Sequence, residues 1–125
     1  GFALNVHEGP QVISYYAPPL PQTKMHEGII TSNEPGLYHE GKYGIRIENL
    51  VVNQAKKFAD STYGEFLEFE TLTLCPINQS CVALELMTES EKTWLNTYHQ
   101  TVRERLAPHL QSEVLNWLIA NTQAI

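Results

Sequence analysis

The chain has 125 residues, 42% of them apolar, which suits one small domain or a piece of a larger one. Its formal net charge is −6 with only eight Lys and Arg, so it lacks the clustered basic face that nucleic acid binding needs. No apolar run approaches the roughly 18 residues of a membrane span, which argues against a membrane protein. The two cysteines, Cys75 and Cys81, form no C-x-x-C pair, and no second cluster of Cys or His accompanies them as a zinc site would require. Few cysteines, with no basic and apolar leader among the first residues, predict a cytoplasmic protein.

In chain order, residues 1–77 read as strands and turns. The segment 15–24 carries Pro18, Pro19 and Pro21 and reads as an extended loop, because proline cannot donate to a ladder. Gly28-Ile29-Ile30-Thr31 is a short β-branched run that favours a strand. Glu34-Pro35-Gly36 reads as a turn. Gly41-Lys42-Tyr43-Gly44 reads as a second loop. From Ile45 to Val52 apolar and polar residues alternate before the run turns wholly apolar, the pattern of a half-buried strand. Phe66 to Leu74 alternates again and ends at Cys75-Pro76. Lys56-Lys57, the one adjacent basic pair, reads as a solvated strand end.

Residues 88–122 read as two helices. Thr88-Glu89-Ser90-Glu91 has the S/T-x-x-E form of a capping box. Trp94, Leu95, Tyr98, Val102 and Leu106 follow at three- and four-residue steps and mark one apolar face. Pro108 separates this helix from the next, where Leu110, Val114, Trp117 and Leu118 form a similar stripe. Such stripes predict core or interface rather than a cofactor site. Strands followed by helices, with no βαβ alternation, predict an α+β fold.

The chemistry gathers between His7 and Glu48. Glu34 closes a predicted strand, and Glu48 lies within the next. If those strands pair, the two carboxylates converge. Paired carboxylates in a protected site repel, and one holds a proton unless a cation sits between them. A divalent metal pair is one solution. The competing reading of these residues is a solvated glutamate beside a turn and a surface strand residue next to Arg46. His7 adds a neutral ligand or a proton carrier.

Three blocks, V-H-E-G-P from Val6, N-E-P-G-x-Y from Asn33 and Y-G-I-R-I-E-N from Tyr43, resemble consecutive motifs of the Xaa-Pro aminopeptidases. These enzymes are pita-bread metallopeptidases, alongside methionine aminopeptidases and prolidases. The resemblance continues through F-E-x-L-T-L-C-P-I from Phe69, W-L-N-x-Y-H from Trp94 and W-L-I-x-x-T-Q from Trp117, so it covers nearly the whole chain. It implies the C-terminal part of a pita-bread catalytic domain. It further implies that Glu34 ligates one of two divalent ions, typically manganese, and is the general base for the attacking water. Glu48 would bridge the ions. His7 would stabilise the tetrahedral intermediate, and Arg46 would orient the carboxylates from behind. Substrates would be peptides with proline at the second position, and the two helices would pack on the domain or serve a homodimer.

The family site has five protein ligands, two Asp, one His and two Glu. This chain has a single Asp, Asp60, in no matching motif, and the ligand His would precede Gly1. A start without Met, inside a motif, therefore reads as a C-terminal piece of a longer enzyme. Alone, these residues are expected to be inactive and poorly soluble, with open strand edges and exposed apolar surface. The alternative is a metal-free pita-bread domain that binds peptide or protein; a third is a prolidase acting on X-Pro dipeptides. His26, His39, His99 and His109 are expected at the surface or at helix caps.

Overall fold

The computed structural model describes residues 3, 5, 7–14, 16, 18, 20–57 and 62–125. The chain divides into two compact units, residues 1–73 and 74–125. The first is built of strands: β1 (Ile30–Asn33), β2 (Gly36–His39), β3 (Tyr43–Arg46), β4 (Asn49–Lys56) and β5 (Phe66–Thr71). β4 runs between β1 and β5, antiparallel to both, and β2 pairs antiparallel with β3.

The two pairings share one register. Asn33 stands opposite Asn49 in the first, and Gly36 opposite Arg46 in the second. Between them, the Ile47 N–H donates to the Pro35 carbonyl at 3.4 Å, in step with both. Residues 30–52 thus form one long hairpin that is interrupted, not reversed, at Pro35. The reversal comes at Glu40-Gly41-Lys42, where the Lys42 N–H donates to the His39 carbonyl at 3.0 Å and Gly41 takes φ 70°. Left-handed φ at the third turn position suits glycine. This corrects three expectations. Glu34-Pro35-Gly36 is not a turn, because proline without an N–H breaks the ladder while the chain stays extended. Tyr43 and Gly44 belong to β3, and Glu48 lies between β3 and β4 rather than within a strand.

The core of this unit is small. Val51 and Val52 are buried, and Asn53 beside them is buried with its amide donating to the His26 carbonyl at 3.1 Å. The Gln11 amide donates to the Ile30 carbonyl at 3.0 Å, which ties the preceding segment to β1. Across β4 and β5, Lys56 pairs with Glu68 and Gln54 with Glu70. Asp60 lies outside the described residues.

The second unit is helical, with α1 (Glu89–Leu106) and α2 (Ser112–Ala120) joined through a 3₁₀ turn at Ala107–His109. Thr88 caps α1. Its Oγ1 accepts the Glu91 N–H, and Glu91 Oε2 accepts the Thr88 N–H at 2.7 Å. That backbone bond, then the Thr88 hydroxyl, holds the Glu91 carboxyl below the usual carboxylate range. Leu95, Tyr98, Val102 and Leu118 form the core, with Leu74, Ile77, Met87, Leu106, Leu110 and Ile125 packed against it. Of the two stripes expected as core or interface, part is core and part is exposed. Val114 and Trp117 of α2 are 56% and 55% exposed, so only Leu118 of the described α2 residues is buried. Trp94 is half-exposed and lies flat on Tyr98, ring centroids 5.6 Å apart.

Candidate metal and peptidase site

Glu34 directly follows β1, and Glu48 directly precedes β4. Carried one step beyond Asn33 and Asn49, the register sets Glu34 opposite Glu48. Side chains two apart along a strand share a face. One face of the hairpin therefore carries Glu34, Gly36 and Tyr38 on one arm and Gly44, Arg46 and Glu48 on the other.

Arg46 joins the two carboxylates. Its Nε lies 3.7 Å from Glu34 Oε2 and 3.6 Å from Glu48 Oε2. Glu34 is the most sheltered of the three, with 24% of its side chain exposed against 42% for Glu48 and 45% for Arg46. The guanidinium holds its proton more firmly than usual, first through a hydrogen bond to Tyr38, then through attraction to Tyr38, Glu34 and Glu48.

Tyr38 is the member of this group that the motif contains but residue-by-residue reasoning left without a role. Its ring lies back over both glycines. A Cβ at Gly36 would stand 2.5 Å from Tyr38 Oη, and one at Gly44 would stand 2.7 Å from the ring Cδ1. Glycine at both positions is what lets the ring reach Arg46. The signal was in the sequence: Gly36, two residues before Tyr38 on its own strand, and Gly44, opposite it on the partner strand, leave room for one large side chain on their shared face.

The structure brings Glu34, Glu48 and Arg46 together. His7 is an exposed residue in a bend of the N-terminal segment, and among the described residues no hydrogen bond or ion pair links it to the other three. His26 and His39 are exposed, and His39 stacks on Tyr43 with ring centroids 5.7 Å apart. His99 overturns its expectation. It is fully buried, because its side of α1 is covered by segment 75–79 and the tail.

Two carboxylates around one guanidinium can share a further cation between them. Carboxylate oxygens suit hard or borderline divalent ions such as manganese, so the donor set fits such a metal in kind. It is partial in number: among the described residues no three His, Cys, Asp or Glu side chains gather as a metal site.

The chain is similar to known proteins along nearly its whole length. The pattern of metallopeptidase family M24 matches residues 1–55, and that of the C-terminal region of peptidase M24 matches residues 65–125. A probable Xaa-Pro aminopeptidase P of Coprinopsis cinerea is 43% identical over 129 residues, covering 100% of this chain and 20% of that protein. Aminopeptidase P2 of Arabidopsis thaliana is 44% identical over 130 residues, covering 100% of this chain and 18% of its own length. The crystal structure of an X-prolyl aminopeptidase from Caenorhabditis elegans, described as a cytosolic enzyme with a di-nuclear active site, matches with a TM-score of 0.78 at 39% identity. It covers 98% of this chain and 20% of its own. The antiparallel strands followed by two helices are thus the pita-bread arrangement of that enzyme. The chain spans about a fifth of the length of the relatives it matches.

Proposed function

The chain belongs to the M24 metallopeptidase family, and from that premise we propose that the protein containing it removes an N-terminal residue that precedes proline. One observation carries this reading: Glu34 and Glu48, from opposite arms of one hairpin, converge on Arg46. Glu34 and Glu48 would hold two divalent ions, manganese in our reading, together with ligands outside this chain. Bound there, the ions supply Lewis acidity toward water and the scissile carbonyl.

The remaining roles fall to side chains. Glu34 accepts the proton of the attacking water at a carboxylate oxygen, for which its sheltered position suits it. Arg46 keeps both carboxylates aimed at one place, and Tyr38 holds the guanidinium. His7 faces the substrate carbonyl and donates to the oxygen on which charge develops. The substrates are peptides with proline second, and the reading includes a cytoplasmic location. It also includes a homodimer through the helices, supported by the exposure of Trp94, Val114 and Trp117.

The test is an assay of the full-length protein on an X-Pro peptide with manganese added. Release of the first residue that depends on manganese and disappears in Glu34→Ala is the expected result. No release, with aspartates missing upstream of Gly1, would replace the enzyme by a metal-free module that binds peptide or protein.

A further inference from the structure

The helical unit buries a histidine for which the proposed site has no use. His99 is 0% exposed. Its Nε2 accepts the backbone N–H of Ile77 at 3.0 Å. Its Nδ1 lies 3.3 Å from the side-chain amide of Gln79, which also reaches the Gln123 carbonyl. A backbone N–H can only donate, so Nε2 is the bare nitrogen and the neutral ring carries its proton on Nδ1. The ring thus ties α1 to segment 75–79 through Nε2, while the Gln79 amide nitrogen that lies beside the protonated Nδ1 donates to the Gln123 carbonyl of the tail.

The neighbours of His99 on α1 hold the same two segments. The Tyr98 hydroxyl donates to the Cys75 carbonyl at 2.8 Å. The Asn96 carboxamide donates to the Ile125 carbonyl at 3.2 Å and accepts the Ile125 N–H at 2.9 Å. Arg103 Nη1 donates to the Thr122 carbonyl at 3.2 Å. Of these contacts, only the one at His99 changes sign with a proton near neutral pH. A protonated ring would set an N–H against the N–H of Ile77.

The surroundings favour the neutral ring. Burial comes first, and the positive charge of Arg103, one turn along the same helix, comes second; both hold the imidazole below its ordinary value. Among the described residues, segment 75–79 presents to the ring the Ile77 N–H and the Gln79 amide, and Tyr98 presents a tilted ring at 5.9 Å. The tail enters through the Gln123 carbonyl, held by that same Gln79 amide. None of these partners is a carboxylate that would welcome a second proton.

We propose that His99 is an acid-sensitive latch: the neutral ring fastens segment 75–79 to α1 through the Ile77 N–H, and protonation unfastens it. The direction in pH follows. A group that binds protons more weakly folded than unfolded stabilises the fold fully above its unfolded pKa, about 6.5 for histidine. That stabilisation is lost as the pH falls through this value toward the lower, folded one.

The test uses the full-length protein labelled with ¹⁵N-histidine, together with amide exchange at Ile77 between pH 8 and pH 5, corrected for the intrinsic pH dependence of exchange. We expect a bare Nε2 at pH 8 and a ring that titrates below 6.5. Protection of Ile77 should fall by about tenfold per pH unit as the pH drops from 6.5 toward that midpoint, and level off below it. In His99→Gln, whose amide oxygen accepts the same N–H and does not titrate, protection should stay level. A protonated Nε2 in the neutral ring, a midpoint at or above 6.5, or the same pH response in both proteins would each overturn the latch. If His99→Gln does not fold, the ring nitrogens of the unaltered protein still decide between these outcomes.

Discussion

In the helical unit, Leu95, Tyr98, Val102 and Leu118 are each no more than 7% exposed and close over one another. In the strand unit, Val51 and Val52 are the buried apolar residues among those described, while Leu37, Tyr43 and Ile45 on β2 and β3 are more than half exposed. The same hairpin carries Glu34, Arg46 and Glu48 together on its other face. A two-stranded ribbon has too little buried surface to stabilise itself. The helical unit therefore holds the larger buried core, and the strand unit holds the proposed site. Changes in one should leave the characteristic readout of the other in place.

The strongest challenge to this division is Glu34→Gln in the full-length protein. The turnover rate on an X-Pro peptide should fall by about 10²- to 10⁴-fold, the range for losing a positioned general base. The denaturation midpoint should hardly move. Turnover within a few-fold of the unaltered protein would remove Glu34 from the chemistry. The mirror experiment is Leu118→Ala, which empties part of the helical core and should cost about 2–5 kcal/mol in denaturant unfolding. Turnover per folded molecule should be retained, and a matching collapse of turnover would show that the division is false.

Arg46→Ala sharpens the picture within the strand unit. Without the guanidinium the two carboxylates lose their shared orienting partner, and manganese affinity should weaken by about 10–100-fold in equilibrium dialysis. Unchanged affinity would mean that Arg46 merely neutralises charge. The smallest effect belongs to Thr88→Ala. It removes the α1 cap and should lower stability by about 1 kcal/mol, without touching turnover. A larger loss would mean that the cap also holds the segment before the helix.

Much of this molecule was legible in advance, and the misreadings are instructive. Thr88 and Glu91 form their capping box because that interaction is local, complete within four residues. The convergence of Glu34 and Glu48 was anticipated, but through the wrong geometry. Pro35-Gly36 was read as the reversal, whereas the chain turns at Gly41 and Pro35 interrupts a longer hairpin. The pairing survived the error because the true hairpin is symmetric about its tip, so Glu34 and Glu48 still meet. Tyr38 escaped because its role depends on two glycines on different strands. His99 reads as a surface residue by its polarity, yet it stands four residues after Leu95 and three before Val102, on the buried stripe of α1, where segment 75–79 and the tail enclose it. Val114 and Trp117 show the reverse case, an apolar stripe that α2 presents to solvent.

The amino-acid sequence by itself determined what depends on neighbours along the chain: strand and helix character, the cap, the order of the motifs and the family they mark. Tertiary structure decided what depends on register and enclosure. Whether Arg46 lies between two carboxylates is set by which residues stand opposite across strands, and a shift of one residue would send those side chains to the other face. Whether His99 is a solvated base or a buried acceptor is set by which backbone donor covers it, and that donor, Ile77, lies 22 positions away.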